Sequence, residues 1–203
     1  LHVRSRRQRQ MCIRDSHENL KSFGACFGVS GGYERPMWFA LDGVKAEYEY
    51  SYNYQSWYPS AKYETNNTIK NVGLFDLTPF SKFEIKSNKA YQELQKICTA
   101  NIKNEPGKCV YTHMLNPDGG IETDLTVVRL DNDSFYLVTG TGFMTHDFDW
   151  IKSNIPSDYN VELENITFSH SVFSLMGPMS REILQASSDN KFDNTPCRKL
   201  KEI

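Results

Sequence analysis

Apolar and polar positions sort this chain into short alternating runs and a few longer amphipathic ones, most clearly from Asn71 onward. VGLFDL and KFEIK read as two short strands separated by Thr78-Pro79. Ser87 stands where it can cap a helix over NKAYQELQKICTANI, in which Ala90, Leu94 and Ile97 share a side with Tyr91 and Cys98. Glu105-Pro106-Gly107 turns the chain. CVYTHML, IETDLTVVRL and FYLVTG follow as strands, joined by the turns NPDGG and DNDS. Residues 109–140 are therefore expected to form an antiparallel meander. A helix is expected around THDFDWIKSN with Thr145 as its cap, then a strand over SHSVFSLMG. GPMSREILQAS predicts a last helix, opened by Pro178. Strands and helices mix without regular βαβ alternation, so the predicted class is α+β.

Upstream the pattern is weaker. FGACFGVSGGYERPMWFA mixes glycine with aromatics. Gly31-Gly32 should turn and Pro36 should hold Arg35 extended, giving an ordered connector. In EYEYSYNYQSWYPSAKYETNN the tyrosines at 48, 50, 52 and 54 alternate with a period of two. That predicts an irregular strand, or a loop that packs its rings on a surface. A stacking platform for nucleic acid would need basic neighbours, and the neighbours are Glu47 and Glu49.

Composition narrows the class. The 203 residues suffice for one large domain or two small ones, and 39% hydrophobic residues can build a core. No apolar run approaches the roughly 18 residues of a membrane span. A secretory apolar segment is also absent from the pattern. The net charge of -2 gives no reason to expect nucleic acid. Five cysteines (Cys12, Cys26, Cys98, Cys109, Cys197) include no CxxC pair. This argues against structural zinc and for a reducing compartment, the cytoplasm, or the mitochondrial matrix if the source is eukaryotic. The average charge hides a break near residue 16. Residues 1–16 hold five Arg and no Lys, whereas residues 17–203 hold four Arg and fourteen Lys. A basic nucleic-acid arm, an organelle presequence and non-native sequence compete here. A presequence needs an apolar face that this stretch lacks, and QRQMCIRDS resembles translated sequencing-adapter read-through. Residues 1–16 are accordingly read as a non-native or disordered segment. The start at Leu1 and the stop at KLKEI read as a fragment.

Most catalytic signatures are missing. The five histidines show neither HExxH nor HxH spacing. TGTG at 139–142 sits between a strand and a helix and could approach a phosphate or another ligand, but GxGxxG is not completed. One residue breaks a local rule. Asp124 interrupts the strand IETDLTVVRL, and strands disfavour Asp. In a period-two strand it points the same way as Val128 and Leu130, which predicts a mostly apolar layer around it. Either it is a solvated acid near a hairpin end, or it faces a ligand and can accept a hydrogen bond or a proton from an amine. Tyr111, on the preceding strand, is placed to line the same wall.

Several stretches carry a resemblance. NVGLFDLTPFSKFEI, YTHMLNPDGGIETDLTVVRL, SFYLVTGTG, HDFDWI and SLMGPMSREIL resemble the folate-binding domain of the glycine cleavage T-protein family. GGYERPMWFA resembles the stretch that precedes this domain in dimethylglycine and sarcosine dehydrogenases, which simple T-proteins lack. The resemblance runs from about Phe23 to the end and is most specific at residues 109–130. It implies a T-protein-like aminomethyltransferase fold with a ferredoxin-like part, truncated. Residues 17–45 would then be a connector from a missing FAD-dependent half, and 46–203 the N-terminal part of the folate-binding domain.

The resemblance also implies a chemistry. The flavin half oxidises a methylated amine to an iminium, and the folate half passes the one-carbon unit to tetrahydrofolate, giving 5,10-methylene-tetrahydrofolate. Asp124 takes the place of the family's essential acid, whose implied role is to bind and activate the N10 amine of folate. Tyr111 matches a folate-stacking tyrosine, and Phe80 an apolar contact to the pterin. Thr139 and Gly140 are further cofactor-binding candidates, with Gly140 standing where T-proteins usually carry Asn. Tetrahydrofolate is the implied cofactor, with FAD in the missing half; a methylamine-derived iminium and that half are the implied partners. The family's later folate-binding Tyr, Glu and Arg lie beyond the last residue, so the chain alone is expected to be inactive. Two alternatives stay open: a T-protein-type aminomethyltransferase, and a non-catalytic folate-binding module.

Overall fold

The computed structural model describes residues 17–30, 32–156, 160–189 and 191–192. The expectation for residues 1–16 falls outside them. The described residues divide into two compact units, one comprising those before Pro79 together with Ser171–Ser187, the other Pro79–His170 and the few after Ser187.

In the first unit, β1 (Ala25–Ser30) and β2 (Tyr33–Phe39) pair antiparallel as a hairpin. Gly32 takes φ +83°, a conformation that glycine adopts without a Cβ penalty. The expected connector is thus a regular element, tied down by its own polar groups. The Arg35 guanidinium donates to the Asp76 carbonyl at 2.8 Å, and the Phe39 amide donates to Glu64 Oε1 at 2.7 Å. The tyrosine run stays irregular up to Trp57, with Tyr48 stacked on Tyr50. Its second half departs from the expectation: Tyr58–Lys70 is a helix, α1, with Pro59 in its first turn. Pro59 was the available signal. The amphipathic one was faint, because Ser60 is the one fully buried residue of this helix. β3 (Gly73–Asp76) pairs antiparallel with β9 (Phe173–Met176), close to the expected strands. α4 (Ser180–Ala186) follows, shorter than predicted, with Pro178 just outside it.

Gly177 is the tightest point of this unit. Its φ is +124°, and a Cβ there would run into the main-chain oxygens of Thr68 and Asn71. Backbone packs directly on backbone, so no side chain can yield.

The second unit is a five-stranded antiparallel sheet in the order β5-β6-β7-β4-β8. Its strands are β4 (Ser81–Lys86), β5 (Cys109–Leu115), β6 (Ile121–Arg129), β7 (Ser134–Thr139) and β8 (Glu162–Asn165). The expected meander over 109–140 is β5, β6 and β7. Helix α2 (Ala90–Ile97) follows β4, and α3 (Met144–Asn154) follows β7. Without β5, the chain order β4-α2-β6-β7-α3-β8 and sheet order β8-β4-β7-β6 make a split βαβ, ferredoxin-like arrangement. β5 extends it on one edge. β8, which the sequence pattern did not predict, closes the other; its ELEN is charged, as suits an exposed edge.

The sheet and helices share one core: Phe83, Ile85, Leu125, Val127, Phe135 and Leu137 from the strands, Leu94 from α2 and Ile151 from α3. Each such side chain contributes roughly 1.5–3 kcal/mol when fully buried. Phe148 of α3 packs edge-on against Phe83. The NPDGG turn is built as expected: Asn116 Oδ1 accepts from the amides of Asp118 and Gly120, and Gly119 sits at φ +84°. Ser87 Oγ accepts from the Lys89 amide at 3.2 Å just ahead of α2. Thr145 does not cap α3. The helix follows directly from a 3-10 turn at Thr141–Phe143, so Thr145 lies inside it.

α2 ends earlier than the predicted helix because two other interactions take over. Cys98 bridges to Met114 on β5. Gln95 then holds the loop that leaves the helix, donating to the carbonyls of Cys98 and Ala100 and accepting from the Ile102 amide at 2.9 Å. Removing this side chain orphans three backbone groups. Gln95→Ala should lower stability by about 1–3 kcal/mol, read as a shift of the urea midpoint at unchanged slope. Gly177→Ala should cost about 1–3 kcal/mol or more through backbone strain alone, which a thermal melt of the variant would show.

Candidate functional site

Asp124 lies in the middle of β6, opposite His113 of β5. The pleat sends Thr123, Leu125 and Val127 inward, where all three are buried. Asp124 therefore faces the other way and is exposed. The expected apolar layer around it is not what the structure shows. The face-sharing predicted from the pattern holds, but the core lies on the odd-numbered face, against α2 and α3. On the even-numbered face of this strand Val128 is buried, while Glu122, Thr126 and Leu130 are half-buried.

Exposure does not leave the carboxylate alone. The Tyr111 hydroxyl donates to Asp124 Oδ2 at 3.0 Å. Tyr111 pairs with Thr126, so the contact is the diagonal one between neighbouring strands, within reach of a long aromatic side chain. That hydrogen bond, then desolvation and the charge of Asp124, pushes the Tyr111 phenol above its usual range and keeps it a donor. Oδ1 of Asp124 has no protein donor among the described residues. The Tyr111 ring is 61% exposed and meets the His113 ring edge-on at 5.3 Å. An acceptor oxygen beside an exposed aromatic face can take an N–H from a flat, nitrogen-bearing ligand stacked on the ring.

The register places the other candidates. Ser81 and Leu125 both pair with Thr139. The next step along the strands puts Phe80, Gly140, Asp124 and His113 in one row across the sheet. Phe80 is half-buried, and its carbonyl accepts from the buried Lys82 ammonium at 2.8 Å. A Cβ on Gly140 would meet nothing closer than the Phe143 ring at 3.6 Å, so the protein's own packing does not demand glycine there. Thr139 is different. Its side chain is buried beneath the sheet, against Thr123 and Asp147, and does not join the Asp124 carboxylate. The structure thus brings Tyr111 to Asp124, sets Gly140 and Phe80 directly beside the paired residues Thr139 and Ser81, and leaves the Thr139 side chain against Asp147.

Two groups escaped the sequence reading. His113 shares the face of Tyr111 by simple alternation, which was visible once β5 was drawn as a strand. Asp147 sits on the inner side of α3 with Ile151, an acid at an apolar helical position. The i, i+4 spacing could have revealed it. A cleft of about 620 Å³ lies elsewhere, around Lys86, Lys89, Asp131, Asp133 and Glu162. Its mixed charges contact none of the candidate residues. Among the described residues no cluster of three His, Cys, Asp or Glu is arranged to hold a metal ion, and no helix is long and apolar enough to cross a membrane.

Known proteins resemble this chain in sequence and in fold. Dimethylglycine dehydrogenase, mitochondrial, of Rattus norvegicus is 33% identical over 87% of the chain and 21% of its own length. 4-Methylaminobutanoate oxidase (formaldehyde-forming) of Paenarthrobacter nicotinovorans is 36% identical over 90% of the chain and 22% of its own length. The chain thus spans about a fifth of the length of these relatives. The crystal structure of the glycine cleavage system aminomethyltransferase T from Bartonella henselae superposes with a TM-score of 0.69 at 22% identity, covering 84% of this chain and 42% of that one. The fold is therefore that of the glycine cleavage T-protein, of the expected α+β class. With the GCVT N-terminal domain family matching residues 16–203, the chain belongs to that family.

Proposed function

We propose that this chain is the tetrahydrofolate-binding part of an FAD-dependent enzyme of the dimethylglycine or sarcosine dehydrogenase kind. The observation that carries the reading is the Tyr111–Asp124 pair: a carboxylate with one oxygen held by a tyrosine, the other without a donor among the described residues, beside an exposed ring. The likeness to dimethylglycine dehydrogenase over most of the chain supports it. In this reading residues 17–45 lead from the flavin half, and 46–203 begin the folate half.

The site residues suit a reduced pterin with a secondary amine. Asp124 Oδ1 accepts the N10 hydrogen and withdraws the proton as the nitrogen attacks. Tyr111 keeps Oδ2 occupied, so the carboxylate is oriented before the ligand arrives and offers one oxygen. The Tyr111 ring gives a stacking surface, and Phe80 an apolar contact further along the row. Gly140 leaves open space between them, where a side chain would stand in the ligand's way. Tetrahydrofolate, once bound, would supply the N5 and N10 nitrogens that take up the methylene carbon as its bond to the amine nitrogen breaks and the demethylated amine leaves, yielding 5,10-methylene-tetrahydrofolate. The iminium it captures would come from amine oxidation at FAD in the other half.

A glycine cleavage-type aminomethyl transfer would use the same acid, and the similarity in fold to an aminomethyltransferase T leaves that as the second reading. Joined in one protein with a flavin half, Asp124→Asn should leave amine-dependent flavin reduction unchanged. Coupled methylene-tetrahydrofolate should fall by roughly 10²-fold or more, with formaldehyde released in its place. Stopped-flow flavin absorbance and a formaldehyde assay read the two halves separately. Coupling at the wild-type rate in this variant would refute the role given to Asp124. Tyr111→Phe should retain flavin reduction and weaken tetrahydrofolate binding by about five- to tenfold, less than the full worth of a charge-assisted hydrogen bond because the bond lost orients the carboxylate and does not touch the ligand.

A further inference from the structure

A continuous line of side chains joins the NPDGG turn, through Glu122 at the hairpin end of β6, to α3. Asn116 Nδ2 donates to Glu122 Oε1 at 2.9 Å. Glu122 Oε2 lies 3.3 Å from His146 Nε2, and His146 Nδ1 lies 3.0 Å from Asp147 Oδ1. Asp147 Oδ2 accepts from Thr123 Oγ1 at 2.9 Å and from Thr139 Oγ1. Both threonine hydroxyls also stand 3.4 Å from the main-chain oxygen of Asp124. Nothing in the chemistry assigned to Asp124 and Tyr111 uses any of these groups.

We propose that His146 is a positioning residue for the Asp124 site: by bridging Glu122 and Asp147 it ties the hairpin end of β6 to α3 and holds Asp124 in place for its ligand. The identity of that ligand rests on the folate reading above. The geometry is specific. Glu122 and Thr123 immediately precede Asp124, and both are anchored to consecutive residues of α3, one through the imidazole and one through the buried carboxylate. Asp147 is 1% exposed, and a carboxylate so buried is costly unless donors surround it. It has two hydroxyls and the imidazole.

The bridge needs donors on both ring nitrogens, and only the imidazolium has them; a neutral ring can serve one carboxylate at a time. The charged groups acting on His146 are Asp147 from its own helix and Glu122 from β6. The hydrogen bond to Asp147, then the two charges, raises the imidazole above its ordinary value of 6.5, with partial desolvation acting the other way. A raised value means that the bridge is complete below pH 6.5 and is lost as pH climbs through the higher folded-state value. Ligand affinity should follow it downward on the alkaline side.

The test uses the protein joined in one chain with its flavin half and the rest of its folate half: calorimetric titration of tetrahydrofolate between pH 6 and 9 into wild type, His146→Gln and, as a control, the exposed His170→Gln. Wild type and His170→Gln should lose affinity as pH rises, whereas His146→Gln should start about fivefold weaker and stay flat, a coupling of ordinary size. Equal affinity and an equal pH slope in His146→Gln would overturn the proposal. Amide hydrogen exchange of residues 121–126, without ligand, decides the clamp independently. Protection that falls with pH in wild type and is low throughout in His146→Gln supports it, and identical protection in both overturns it. Failure of wild type to bind tetrahydrofolate would sink the folate reading and leave the clamp to the exchange result.

Discussion

A β-strand sends consecutive side chains to opposite faces, and in β6 that constraint sets what every other part of the second unit must do. Leu125 and Val127 are drawn into the core by apolar burial, worth roughly 1.5–3 kcal/mol each. Their burial turns Asp124 outward. A shift of one residue in register would bury the carboxylate and expose both apolar chains, at a cost no hydrogen bond could offset. The hairpin turn keeps that register. Asn116 folds NPDGG around its own side-chain oxygen, and β5 then delivers Tyr111 to the diagonal position from which its hydroxyl reaches Asp124.

The same alternation creates a problem on the inner face. Thr123 is directed into the core with a hydroxyl, and Thr139 arrives beside it from β7. Both are satisfied by Asp147, and Asp147 in turn by His146. A polar cluster inside an apolar core stabilises a fold weakly but selects one arrangement strongly, because a misplaced partner leaves a buried group unsatisfied. The strand segment that carries the candidate acid is therefore held on both faces: by Tyr111 outside and by the threonine–aspartate–histidine cluster inside. Preorganisation of this kind spares a ligand the cost of ordering the site.

An exposed acid on an open sheet face differs from the apolar layer that the strand pattern suggested. The residues sharing Asp124's face were identified correctly. Alternation says which side chains travel together, yet it is silent on which of two mixed faces meets the helices. Val128 and Leu130 made the even face look like the inner one. The helices lie on the odd face, where Leu94 and Ile151 meet Leu125 and Val127.

The sequence by itself determined the meander over 109–140, the NPDGG turn, the α+β class and the conspicuous acid at 124, because each is written in local spacing and turn chemistry. Asp124 and Tyr111 stood out by pattern and took their roles from the resemblance, which also named Phe80, Thr139 and Gly140; the comparisons place the chain in the family that the resemblance named. Helix α1, edge strand β8 and the early end of α2 depended on contacts between residues far apart in the chain, such as Cys98 with Met114. Only the tertiary structure decided that Thr139 turns away from Asp124 while Tyr111 turns toward it, and that His146 and Asp147 come to lie under β6. Strand register and helix docking bring those groups together, and neither is encoded in any single stretch of residues.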